Sequence, residues 1–265
     1  PAQVEAAITP QTTAILPVHC YGRPCDAAAL QRIADTYGLK LIYDAAHAFG
    51  VRDGGGSVLR HGDLSVLSFH ATKVFNTFEG GAIVSPDARR KQHIDHLKNF
   101  GFVNETTVVA TGINGKMSEF NAALGLLQLQ HVDAAIARRT AIAQRYRTLL
   151  AALPGIRLLD PPARANQNHG YFPILVGDEF GVARDALYQH LRRHDVLTRR
   201  YFHPLISDFP MYRGLPSADP ARLPVARDAS RRVLCLPIHP ALSDADVDRI
   251  VTLMADARAA LPLAA

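Results

Sequence analysis

The sequence predicts an α/β fold: a mostly parallel sheet, followed by a smaller α+β unit. Two observations carry this expectation. Near the start, strand, helix and strand follow one another within about 35 residues, and such a βαβ unit implies parallel pairing. After Pro154-Gly155 the pattern changes to separate strands and helices with a proline-rich connection. With 265 residues, 48% of them hydrophobic, the chain can bury one large core or two modest ones. The pattern places a large domain at 1–130 and a small one at 131–265.

Residues 12–20, TTAILPVHC, read as a buried strand. The turn YGRPCD follows, with Asp26 as a helix N-cap. Ala29, Leu30, Ile33 and Ala34 recur at helical spacing, and Gly38 ends that helix. LKLIYDA is the second strand, and 64–70 and 80–85 supply two more. No G-x-G-x-x-G follows the first strand, which argues against dinucleotide binding. Residues 117–153 read as helical almost throughout, as one long helix or two nearly continuous ones, with Ser118 as the cap. GYFPILV (170–176) is a strand, about 180–194 a helix, 203–224 a proline-rich loop and VLCLPI (233–238) a strand. Ser243-Asp244-Ala245-Asp246 opens a final amphipathic helix.

Composition excludes several classes. No apolar run reaches the roughly 20 residues that span a bilayer, and no signal-peptide pattern opens the chain. A soluble, cytoplasmic protein is expected. The net charge of +5 comes from dispersed arginines, among them Arg138, Arg139, Arg145 and Arg147, which read as a solvated helix face. Nucleic-acid binding needs basic residues clustered with aromatics, and these are absent. Cys20, Cys25 and Cys235 are an odd set without further ligands at zinc spacing, so they are read as reduced thiols with no metal site.

The residues able to do chemistry lie in 44–73. Lys73 follows an apolar strand and precedes two aromatics and a glycine pair. Burial disfavours an ammonium, and a neutral amine is what bonding to a carbonyl requires. On its own, Lys73 is read first as a lysine reaching to solvent. Asp44 ends a strand, where open parallel sheets bind ligands, and His47 stands three residues on. An isolated Asp44 would read equally well as a cap. A lysine for an aldehyde and a carboxylate for a ring nitrogen are together the needs of pyridoxal 5′-phosphate (PLP). Ser68, at a strand end, can donate to a phosphate. His70 reads as packed.

The combination DAAHAFG, GD-x4-SFHATK-x6-GG and GINGKMSEFNAALGLLQL resembles the DegT/DnrJ/EryC1/StrS sugar aminotransferases. The resemblance also takes in PVHCYGRPCD and VLCLPIHPALS. It implies a fold type I, PLP-dependent transferase acting on nucleotide-linked keto sugars, with glutamate as amino donor. It implies that Lys73 bonds covalently to the cofactor aldehyde, that Asp44 faces the pyridine nitrogen, that His47 lies near the phenolic oxygen, and that Ser68 binds phosphate. Asn114 corresponds to an asparagine that reaches the phosphate of a neighbouring subunit, which implies a homodimer. Family chains carry about a hundred residues ahead of the point where this one starts, a length of domain scale. The N-terminal part of the large domain, including a phosphate loop and a stacking aromatic, is therefore expected to be lacking. A dTDP-4-keto-6-deoxyglucose type of substrate is expected. The alternatives are amination at C3 and a catalytically inactive PLP-fold binding protein.

Overall fold

The computed structural model describes residues 1–159 and 166–260. Two compact units emerge. One is Pro1–Ile136 together with a short stretch ending at Asn168; the other begins at Ala137 and resumes at His169.

In the first unit, α1 (Ala2–Ala6) precedes β1 (Ala14–Ile15), α2 (Ala27–Tyr37) and β2 (Lys40–Asp44). Asp26 caps α2 as expected, its carboxylate accepting from Ala29 N at 2.9 Å, and Gly38 closes it in the left-handed region at φ 64°. A hairpin, β3 (Arg52–Asp53) and β4 (Gly56–Ser57), leads to β5 (Leu64–Ser68) and β6 (Gly81–Val84). The sheet order is β1-β2-β5-β6. β1, β2 and β5 run parallel, and β6 pairs antiparallel to β5. β1 is shorter than its sequence implied, because Pro17 has no N–H to give the ladder. Pairing resumes only as a single bridge between Val18 and Asp44.

One face of the sheet packs Leu41 and Tyr43 on Leu30, Ile33 and Ala34 of α2. On the other face Val18, Val66 and Ile83 are exposed, and the register aligns Asp44 with Val18 and Val66 and Val66 with Ile83. Parallel sheets are ordinarily covered on both faces. Here Asp44 belongs to the open one, as does Ser68, two residues beyond Val66.

The polar helix α3 (Ala88–Lys98) is followed by an exposed loop, then α4 (Glu119–Leu129) and α5 (Val132–Leu150). Ser118 caps α4, accepting from Asn121 N. The predicted helical stretch is thus two helices. Neither Gly nor Pro marks the break at Gln130-His131, so no local signal announced it.

The second unit holds β7 (Ile156–Leu158), β8 (Phe172–Val176), α6 (Arg184–Arg193), α7 (Pro224–Arg232), β9 (Val233–Leu236) and α8 (Asp244–Ala260). Its three strands are antiparallel, in the order β7-β8-β9. Tyr146 stacks on Phe172 at 4.8 Å in a core with Leu187, Leu234, Ile250 and Met254. Ser243 and Asp246 form a reciprocal cap at the start of α8. The arginines of α5 depart from the expected solvated face. Arg139 is buried and donates to Ile238 O at 2.6 Å. Arg138 reaches Leu242 O and Asp244, and Arg145 pairs with Asp248. A guanidinium is retained where fixed acceptors satisfy it. All three cysteines are free thiols. Among the described residues no helix is long and apolar enough to cross a membrane.

Candidate active site

Asp44, the last residue of β2, lies at the carboxyl end of the parallel strands. Its backbone is fixed by Asp44 N donating to Pro17 O at 2.9 Å and by His19 N donating to Asp44 O at 3.0 Å. Its carboxylate accepts from Ala46 N at 3.0 Å, which turns the chain so that His47 follows on the same side. At the same end of the sheet, β5 finishes at Ser68, whose hydroxyl accepts from His70 N at 3.3 Å. The turn continues to Lys73, whose N–H donates to His70 O at 2.9 Å.

Three phenylalanines join these two turns. Phe49, from the turn after β2, stacks on Phe75 at 4.3 Å. Phe69 meets Phe75 edge-on at 4.9 Å and Phe49 at 6.1 Å. Such pairs add to their burial, at about 0.5–1.5 kcal/mol each. The DAAHAFG and SFHATKVF motifs therefore each carry a chemical residue and the ring that anchors it.

The electrostatics show that three of the expected residues share one environment. Burial pushes the Lys73 amine below its ordinary pKa, and the Asp44 charge opposes the fall. Burial and then the Lys73 charge push His47 down to about 4, again against Asp44. At neutral pH His47 is therefore an uncharged imidazole. Its Nδ1 accepts from Tyr21 N at 3.1 Å, which leaves the ring proton on Nε2.

His70 departs from expectation. It is exposed, bonded to the Thr72 hydroxyl at 2.9 Å and 3.7 Å from Glu79. Polar partners close at hand hold it in the turn, and it is not packed. Asn114 also stands apart. It is exposed in the loop after α3, where its backbone bridges Asn99. Among the described residues nothing joins it to Asp44, His47, Ser68 or Lys73.

The structure adds residues that the sequence did not single out. Asn121 of α4 donates to Thr77 O at 2.5 Å and Glu79 O at 3.1 Å, which holds the loop just past Lys73. Gly125, one turn further on, lets that loop approach: a Cβ there would stand 3.0 Å from Thr77 Cγ2 and 3.6 Å from Phe75 Cζ. These contacts give the SEFNAALG motif its physical purpose. Asn121→Ala removes two hydrogen bonds from this loop, although Glu79 N still donates to Thr77 O at 2.9 Å, and is expected to cost about 0.5–1.5 kcal/mol, read from urea unfolding. An unchanged midpoint would show that the loop is held by other means.

A family model described as the DegT/DnrJ/EryC1/StrS aminotransferase family matches residues 1–255. The chain belongs to the DegT/DnrJ/EryC1/StrS aminotransferase family. It is 52% identical over 250 residues to a dTDP-4-amino-4,6-dideoxy-D-glucose transaminase of Shigella dysenteriae, covering 94% of this chain and 68% of the relative. It is 51% identical over 253 residues to an Escherichia coli protein of the same description, covering 95% and 68%. Among solved structures, DesI in the presence of its TDP-sugar product superposes with a TM-score of 0.90 at 40% identity, over 97% of this chain and 65% of that one. The chain thus spans about two thirds of the length of these relatives. The expected fold class, α/β with a mostly parallel sheet, is the one observed in this aminotransferase family member, and PLP is the cofactor of the family.

Proposed function

We propose that the protein is a PLP-dependent aminotransferase that transfers an amino group from glutamate to C4 of a dTDP-linked 4-keto-6-deoxy sugar. The observation that carries this is the grouping of Lys73, Asp44 and His47 at the carboxyl ends of the parallel strands. A depressed lysine beside a carboxylate and an uncharged imidazole fits this cofactor's aldehyde, ring nitrogen and phenolic oxygen. When bound, PLP supplies an aldehyde that exchanges amino groups and a ring that withdraws electrons from the substrate carbon.

The protein's own residues have distinct tasks. Lys73, with its amine shifted toward the neutral form, holds the cofactor covalently and moves a proton at the substrate carbon. Asp44 holds a proton at the ring nitrogen. His47 offers Nε2–H to an oxygen without bringing a charge. Ser68, at the end of β5, serves the phosphate.

Incubating the PLP-loaded protein with glutamate and dTDP-4-keto-6-deoxyglucose tests the assignment, with the amino sugar read by mass spectrometry. Turnover of the 3-keto isomer alone would move the reaction to C3. An absence of cofactor absorbance in the visible would favour an inactive binding protein.

The active form in this proposal is a cytoplasmic homodimer. Phe120, Leu126 and Leu127 of α4 are 76%, 68% and 59% exposed, a contiguous apolar face larger than a surface helix needs. Asn114 lies close by in sequence and reaches the neighbour's site. Mixing Lys73→Ala subunits with Asn114→Ala subunits, each inactive alone, is expected to restore part of the activity, because one site of a mixed dimer escapes both lesions. Mixed dimers without recovery would exclude Asn114 from the neighbour's site.

A further inference from the structure

We propose that Asn168 is a positioning residue that holds the His47 imidazole as a fixed Nε2–H donor toward the cofactor. This rests on the assignment of His47 to the cofactor site. Asn168 is 1% exposed. Its side-chain amide donates to His47 O at 2.8 Å and to Phe49 O at 2.9 Å. The two bonds straddle the fully buried Ala48, so the amide clamps the turn between the histidine and the ring that anchors it.

A second strand of chain completes the clamp. Gly22 has φ 75°. A Cβ there would stand 2.8 Å from Asn168 Oδ1 and 2.9 Å from His47 O. Only glycine lets this backbone approach both the His47 carbonyl and the Asn168 side chain so closely. The residue before it, Tyr21, is held at φ 57°, in the left-handed region that non-glycine residues seldom adopt. In that conformation its N–H reaches His47 Nδ1. Asn168 therefore fixes the carbonyl of His47, while the Tyr21–Gly22 turn fixes its ring. A neutral imidazole whose Nδ1 accepts carries its proton on Nε2. Loss of the amide leaves two buried carbonyls without this donor and frees the turn to move.

The test is a long-range 1H–15N correlation spectrum of 15N-histidine-labelled protein without added cofactor. The His47 signals are assigned by difference with His47→Gln. In the unmodified protein His47 is expected to be protonated on Nε2 and to titrate near 4. In Asn168→Ala the ring is expected to show both tautomers and to titrate closer to the ordinary value of about 6.5. Asn168→Ser keeps one donor in place of two; should the alanine variant not fold, the serine variant is expected to shift in the same direction. An Nδ1–H tautomer in the unmodified protein, or an unchanged tautomer and titration in whichever variant folds, overturns the proposal. Because these spectra are read without cofactor, missing transaminase activity overturns the proposed function, whereas a wrong tautomer overturns this one.

Discussion

Lys73→Ala is expected to slow transamination by at least ~10³-fold and to abolish covalent retention of PLP, since in the proposed function one side chain serves as both tether and proton carrier. The choice of lysine follows from the state of all five. Lys40 pairs with Asp63, and Lys91 and Lys98 share Asp95. Lys116 donates to Asn99 while lying over the Phe100 ring. Each of these four is held at the surface by a polar partner. At Lys73 burial drives the amine toward its neutral form. Borohydride reduction of the loaded protein followed by peptide mapping is expected to place the pyridoxyl group on Lys73. A label on Lys98 or Lys116 would sink the assignment.

Asp44→Asn is expected to slow turnover by about 100-fold, the scale of losing one placed electrostatic stabiliser, with little change in the unfolding midpoint. The contacts separate the two effects. Asp44 is tied into the sheet by its backbone N–H and C=O, which the substitution leaves alone. Its bond from Ala46 N needs only an oxygen acceptor, and an amide has one. Charge is what changes. The same charge opposes the downward shifts of Lys73 and His47, so both groups are expected to titrate lower in the variant. Near-native turnover in a folded Asp44→Asn protein would reduce Asp44 to a turn-capping residue.

What could be read in advance was local. α2 was legible because Asp26, the 3.6-residue apolar spacing and Gly38 all agree, and the reciprocal Ser243–Asp246 cap announced α8 in the same way. Asp44, His47, Ser68 and Lys73 stand beside strand ends that the apolar pattern marks. α7 was hidden because Pro224, which opens it, read as the end of the proline-rich loop, and the charged stretch ARDASRR after it has too few apolar positions to show helical spacing. The supports of the site were not legible at all. Asn168 meets His47 from 121 residues away, and nothing in NQNHGYF distinguishes its second asparagine from its first. Tyr21 works through its backbone N–H, which every residue but proline has. The Phe49, Phe69 and Phe75 cluster is formed by tertiary contact, whereas sequence spacing shows only three apolar residues.

The open face of the parallel sheet bears on rate as well as on packing. Asp44 shares that face with Val18, Val66 and Ile83. The strength of a charge interaction depends on how much water surrounds it: a pair 4 Å apart is worth about 1 kcal/mol at the dielectric constant of water and about 4 kcal/mol at an effective value near 20. The difference, about 3 kcal/mol, corresponds to roughly 100-fold in rate. In the proposed function Asp44 supplies the charge, and the leverage of that charge is set by the dielectric over the sheet. Any group that covered this face would then raise turnover without touching the substrate.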